Sequence, residues 1–76
     1  MFYVDASADK IGVMTNAPTE ALDINSDAIR IRTTQTPASS NNTAVGWGAG
    51  TIAWDANYLY LAANSTNIVR IPFSAF

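Results

Sequence analysis

The stretch Thr51-Ile-Ala-Trp-Asp55-Ala-Asn57-Tyr-Leu-Tyr-Leu-Ala62 decides the fold. Two runs with a two-residue period flank Ala56-Asn57, so Thr51–Asp55 and Tyr58–Ala62 read as paired strands joined by a tight turn. A third run, Ile68–Ile71, follows the turn-forming Ala63-Asn-Ser-Thr-Asn67. The expectation is a three-stranded antiparallel meander. Alternation assigns its faces: Ile52, Trp54, Leu59, Leu61, Val69 and Ile71 share one side, and Thr51, Ala53, Tyr58, Tyr60, Ile68 and Arg70 the other. An isolated small sheet cannot leave such an aliphatic face in water, and three copies around an axis would bury it.

Upstream, the polar and uncharged Thr33-Thr-Gln-Thr-Pro-Ala-Ser-Ser-Asn-Asn-Thr43 leads into Gly46-Trp-Gly-Ala-Gly50. Ser, Thr, Asn and Pro favour local side-chain to backbone hydrogen bonds over regular structure, so this stretch reads as a surface connection. Val45 and Trp47 within it argue for partial docking. The N-terminal third carries short runs bounded by turn residues. Strands are expected near Phe2–Val4, Lys10–Met14, Ala21–Ile24 and Ala28–Thr33, with turns at Ala6–Asp9 and Asn25–Asp27. Ile29 and Ile31 alternate with Arg30 and Arg32, as in a strand with one apolar side. Helical periodicity is nearly absent, and only Pro18–Leu22 fits a single helical turn. Without tight hairpins in this part, pairing between neighbouring chains is as well supported as pairing within one. The chain thus divides into a shaft-like β segment (1–33), a polar connection (34–50) and a C-terminal meander (51–76), expected to act as one cooperative trimeric unit.

Composition points the same way. A single core in 76 residues rarely supplies more than about 3–5 kcal/mol without disulfides, metal or oligomerisation. The chain has neither Cys nor His, which removes disulfides and the preferred zinc and iron ligands. Charged residues make up 13% of it, about half the usual share, while 49% is apolar, as expected if partner chains cover its faces. Four basic residues and a net charge of −2 argue against nucleic acid. No apolar run is long enough for a membrane span, and no signal-peptide pattern is present. Met1 passes at once into the strand-like Phe2-Tyr-Val4, a start expected of the C-terminal piece of a longer polypeptide.

Lys10-Ile-Gly-Val-Met14 and Pro18-Thr-Glu-Ala-Leu-Asp-Ile-Asn25, read with Val4-Asp5 and Ile29-Arg-Ile-Arg32, resemble a pattern of bacteriophage tail fibres, in which a Val-Asp strand precedes I-G-x-x-T-x-x-P-x-x-x-L-D-I. Thr51–Leu61, with Ile68-Val-Arg-Ile71 and the aromatic end Phe76, resembles the C-terminal tip of such fibres. The sequence departs from the pattern at Met14 and Asn16, where Gly and Thr or Ser are commoner, at Ser26 for Gly, and at Phe76 for Trp. The resemblance implies an all-β, intertwined homotrimeric fibre segment of a virion, outside the cell, that presents a surface to a host receptor such as a cell-surface glycan. The alternation of apolar positions assigns Ile29, Ile31, Ile52, Trp54, Leu59, Leu61, Val69 and Ile71 to the trimer core.

Candidate chemistry is sparse. Asp23-Ile-Asn25-Ser-Asp27 begins like a calcium loop, but Ala28 replaces the turn glycine and Thr34 the closing Glu, so an Asx-rich turn is expected and no metal. The glycines around Trp47 lack the spacing and the βαβ setting of a dinucleotide site. No cofactor is expected. Without His or Cys, catalysis would fall to the carboxylates Asp5, Asp9, Glu20, Asp23, Asp27 and Asp55, which are scattered among turns, so the chain is not expected to be an enzyme. Asn41-Asn-Thr43 and Asn64-Ser-Thr66 match the glycosylation acceptor pattern, a short motif relevant only to a eukaryotic secreted protein. Binding is the better reading: Trp47 with Asn41, Asn42 and Thr43 offers a stacking ring beside amides and hydroxyls suited to a sugar. The competing reading makes Trp47 a core plug, as strand phase does for Trp54. Pro72 cannot continue a central strand, and Phe73 and Phe76 are expected to cap the apolar core.

Overall fold

The computed structural model describes Met1–Phe76 and is mostly β, in two compact units, Met1–Arg30 and Ile31–Phe76. In the first unit β1 (Phe2–Asp5) pairs antiparallel with β2 (Lys10–Val13), which pairs in parallel with β3 (Leu22–Ile24). The β1–β2 turn forms because Asp5 closes it: its Oδ1 accepts from the Ser7 hydroxyl at 2.8 Å and the Ala8 amide at 3.1 Å. Asp9 completes the turn in the left-handed region, which a short polar side chain tolerates.

The parallel β2–β3 pair is unusual in its crossover, the eight residues Met14–Ala21, where parallel strands ordinarily need a dozen or more and a helix. Side chains of the loop make the short path hold. The Thr15 hydroxyl accepts from the Ala17 amide, and Asp23 Oδ2 accepts from both the amide and the hydroxyl of Thr19. These bonds replace the helical turn expected at Pro18–Leu22, where no helix forms and Leu22 already pairs with Ile11. Gly12 is obligatory here, because a Cβ would overlap the Thr15 carbonyl oxygen. Met14 adopts φ 60°, the region that glycine enters without steric cost.

Ala28–Thr33, expected as a strand, is in none of the strands of this chain. Its alternation is strand-like, but no neighbouring segment supplies a ladder for its amides and carbonyls. Ile29 and Ile31 are exposed.

The second unit contains the expected meander: β4 (Ile52–Trp54), β5 (Tyr58–Ala62) and β6 (Ile68–Pro72), in antiparallel order. Its register aligns Ile52, Leu61 and Val69 in one cross-strand row and Trp54, Leu59 and Ile71 in the next, so the face assignment holds. Pro72 ends β6 on the sheet edge, where its missing N–H breaks no ladder. Asp55 builds the β4–β5 turn, its Oδ1 accepting from the Asn57 and Tyr58 amides at 2.8 and 2.9 Å. Asn64 plays the same part between β5 and β6, accepting from the Thr66 and Asn67 amides.

The connection packs on the meander. Within it lies a one-turn helix, α1 (Asn42–Val45), that hydrophobic periodicity does not reveal. Asn41 caps its start through Oδ1, and Gly46, at φ 73°, ends it in a left-handed conformation. This brings Val45 and Trp47 against Tyr60, Ala62 and Ile68, the core of the unit. On the face they cover, Tyr60, Ala62 and Ile68 are buried within the chain while Arg70 stays exposed, and the aliphatic face opposite is left open.

Candidate functional site

Two surfaces bear on function, both in the second unit. The first is the open face of the meander. Ile52, Leu59, Leu61, Val69 and Ile71 are each between 37 and 58% exposed, although their cross-strand rows are aligned as in a core. Trp54, in the same rows, is half-buried, and its indole N–H donates to the Ile31 carbonyl at 2.7 Å. This hydrogen bond satisfies the one polar atom of the ring, so the remainder of the face is wholly apolar. Isolated exposed aliphatic residues are ordinary, but a contiguous patch of this kind marks an interaction surface. Phe73 and Phe76 are also exposed, so the expected cap is not formed within the single chain.

The second surface is the connection, where sugar contact was expected from Trp47, Asn41, Asn42 and Thr43. The fold separates these residues. Asn42 is 2% exposed: its amide nitrogen donates to the Asn64 carbonyl and its backbone N–H to the Thr66 carbonyl, which fastens α1 to the β5–β6 turn. A side chain so placed cannot belong to an exposed platform. Trp47 is half-buried against Tyr60, Ala62 and Ile68, which favours the core-plug reading of this ring. Asn41 is exposed but its side-chain oxygen is engaged as the helix cap, and Thr43 is exposed.

Asp55 is the hub that sequence reasoning missed. Beyond the two turn amides, its Oδ2 accepts from the Thr36 hydroxyl at 2.6 Å and the Tyr60 hydroxyl at 2.5 Å. One carboxylate thereby ties the start of the connection to the sheet. The Thr36 hydrogen bond, then those from Tyr60 and Asn57, hold the Asp55 carboxyl well below its ordinary value of 3.8. Donation to that carboxylate, followed by burial, pushes the Tyr60 hydroxyl up. The turn Asp55-Ala-Asn57 was legible from its residue types, but the bond to Thr36 spans 19 positions and leaves no local signal. Asp5 and Asp23 likewise spend their carboxylates on turns.

A pH dependence follows from Asp55. Its folded value lies below the unfolded one, so its stabilising contribution is complete above the ordinary carboxylate range and is lost as the pH falls through and below about 3.8. The wild-type melting temperature should drop on acidification from about pH 5 to about pH 2, the span over which the Asp55 carboxyl of the unfolded chain takes up its proton while the folded one stays ionised. Asp55→Asn should be less stable at neutral pH yet lose less over that interval. Parallel acid limbs in the two proteins would show that Asp55 is not the group responsible.

Comparison with known proteins finds no match for this chain, whether among family models, curated proteins or solved structures.

Proposed function

We propose that the chain is the C-terminal segment of a virion fibre, resembling those of bacteriophage tails, which works as a homotrimer and attaches the particle to a host cell-surface glycan. The observation that carries this reading is the aligned, open aliphatic face of the meander. Burying each of its partly exposed aliphatic side chains gains on the order of 1 kcal/mol, and a second or third copy offers the same surface in return. The face itself calls for an apolar cover; the number three comes from the fibre resemblance. Ala28–Thr33, with Ile29 and Ile31 exposed and no ladder partner, supplies a strand that a neighbouring chain can pair with, which is the sense in which the segment is intertwined. Phe73 and Phe76, which follow β6 and are exposed in the single chain, cap the shared core.

Division of labour between the two faces of one sheet supports the receptor role. Assembly covers the aliphatic face, while the opposite face, with its packed connection, stays outward. A second reading, a trimerisation cap without receptor contact, draws on the inward placement of Asn42 and Trp47, which removes the most sugar-like residues from the surface. A glycan array probed with the labelled, folded chain separates the two. Retention on a defined set of saccharides supports attachment, and a folded oligomer that binds none of them assigns the chain to the structural role.

A further inference from the structure

We infer that the outward face of the meander carries a binding cleft for a carboxylate-bearing saccharide, formed by Thr36, Ser39, Ser40, Tyr60, Ile68 and Arg70. The inference rests on the glycan-attachment reading and gives it a place and a ligand class. The cleft encloses about 510 Å³, within the size range of small-ligand sites. It lies between the connection and the sheet, and its floor includes the Tyr60 and Ile68 side chains of the unit's core. Alternation along β5 and β6 puts these residues and Arg70 on the face opposite Leu59, Leu61, Val69 and Ile71. Assembly through the aliphatic face therefore leaves the cleft open.

Its chemistry selects the ligand. Arg70 is the one charged residue lining it, and the guanidinium lies 4.2 Å from the centroid of the Tyr58 ring rather than on a carboxylate. The charge is thus held in place with its donors free. One guanidinium matches a monoanionic carboxylate through two parallel hydrogen bonds, whereas a dianionic phosphate calls for more cationic donors than this cleft holds. The hydroxyls divide into two sets. Thr36 and Tyr60 direct their hydroxyl hydrogens to Asp55 in hydrogen bonds, and Asp55 does not line the cleft, so they keep lone pairs for ligand hydroxyls. The Ser39 oxygen accepts from the Asn41 amide and retains its proton to donate, and the Ser40 hydroxyl is unengaged within the chain. Acceptors, donors and an apolar floor suit the hydroxyl-edged, C–H-faced ring of a pyranose, and Arg70 adds the preference for an acid.

Amide-resolved NMR titration of the full chain with a uronic-acid trisaccharide, its neutral counterpart and sodium acetate tests this site. The acidic trisaccharide should shift resonances at Ser39, Ser40, Tyr60, Ile68 and Arg70, with the neutral sugar at least about ten-fold weaker, the usual worth of a charged hydrogen bond, and acetate weaker than both. Arg70→Gln should abolish the preference for the acid while the melting temperature stays close to that of the wild type. Arg70→Lys should keep part of it, and Ser40→Ala should weaken both sugars alike, so the site can be judged even if Arg70→Gln fails to fold. Equal affinity for acid and neutral sugar, shifts that map elsewhere, or an Arg70→Gln chain that still prefers the acid would overturn the inference. A chain that binds neutral glycans on the array but shows no acid preference here would overturn this cleft alone and leave the attachment reading standing.

Discussion

Leu61→Asp is expected to dissolve the assembly and unfold the chain together, the largest effect of any single substitution considered. In one chain Leu61 is 39% exposed on the open face, in a row with Ile52 and Val69. If that face met only water, a polar replacement would fall within about 0.5 kcal/mol of neutral. If copies of the chain meet across it, each copy brings an unpaired carboxylate into an apolar core, at several kcal/mol apiece, and the stability contributed by association is lost as well. Circular dichroism melts read with solution mass distinguish the two, since only the shared-core account predicts that both collapse. An Asp variant that melts and sediments like the wild type would show the face to be free.

Trp47→Ala should also be costly, for a different reason. The ring packs on Tyr60, Ala62 and Ile68, and with Val45 it forms the lid of the second unit's own core. Because Trp47 is half-buried, the loss should be about 2–3 kcal/mol, below the range of about 3–5 for a fully enclosed aromatic. Loosening this lid also frees Asn42, whose inward amide depends on the same docking. A melting curve checks the expectation. An unchanged transition, with loss of glycan retention, would restore Trp47 to the surface platform that its neighbours in sequence suggest.

The meander was legible because three independent signals agree over Thr51–Ile71: a two-residue period, turn residues between the runs, and compatible run lengths. Its register follows from them, and so does the membership of each face. Which face the chain itself covers was not legible. Tyr60 and Ile68 alternate with the aliphatic residues and are nearly as apolar, so the choice rests on where Val45 and Trp47 land, a tertiary matter. Helix α1 was missed because one turn is shorter than any periodicity test, although Asn41 and Gly46 stand at its ends as ordinary start and stop residues. The parallel β2–β3 pair left no signal either, since its crossover is built from single hydrogen bonds at Thr15, Thr19 and Asp23 instead of a helix. Ala28–Thr33 shows the converse case. Its pattern is that of a strand, and a pattern becomes a strand only where a partner supplies the ladder.

That missing partner, the open aliphatic face and the exposed Phe73 and Phe76 are three expressions of one claim, that the folded unit is more than one chain. Light scattering coupled to size exclusion measures it directly on the unmodified protein. The account predicts a single folded species with three times the 8.1 kDa mass of the chain. A folded, cooperative species with the mass of one chain would contradict it.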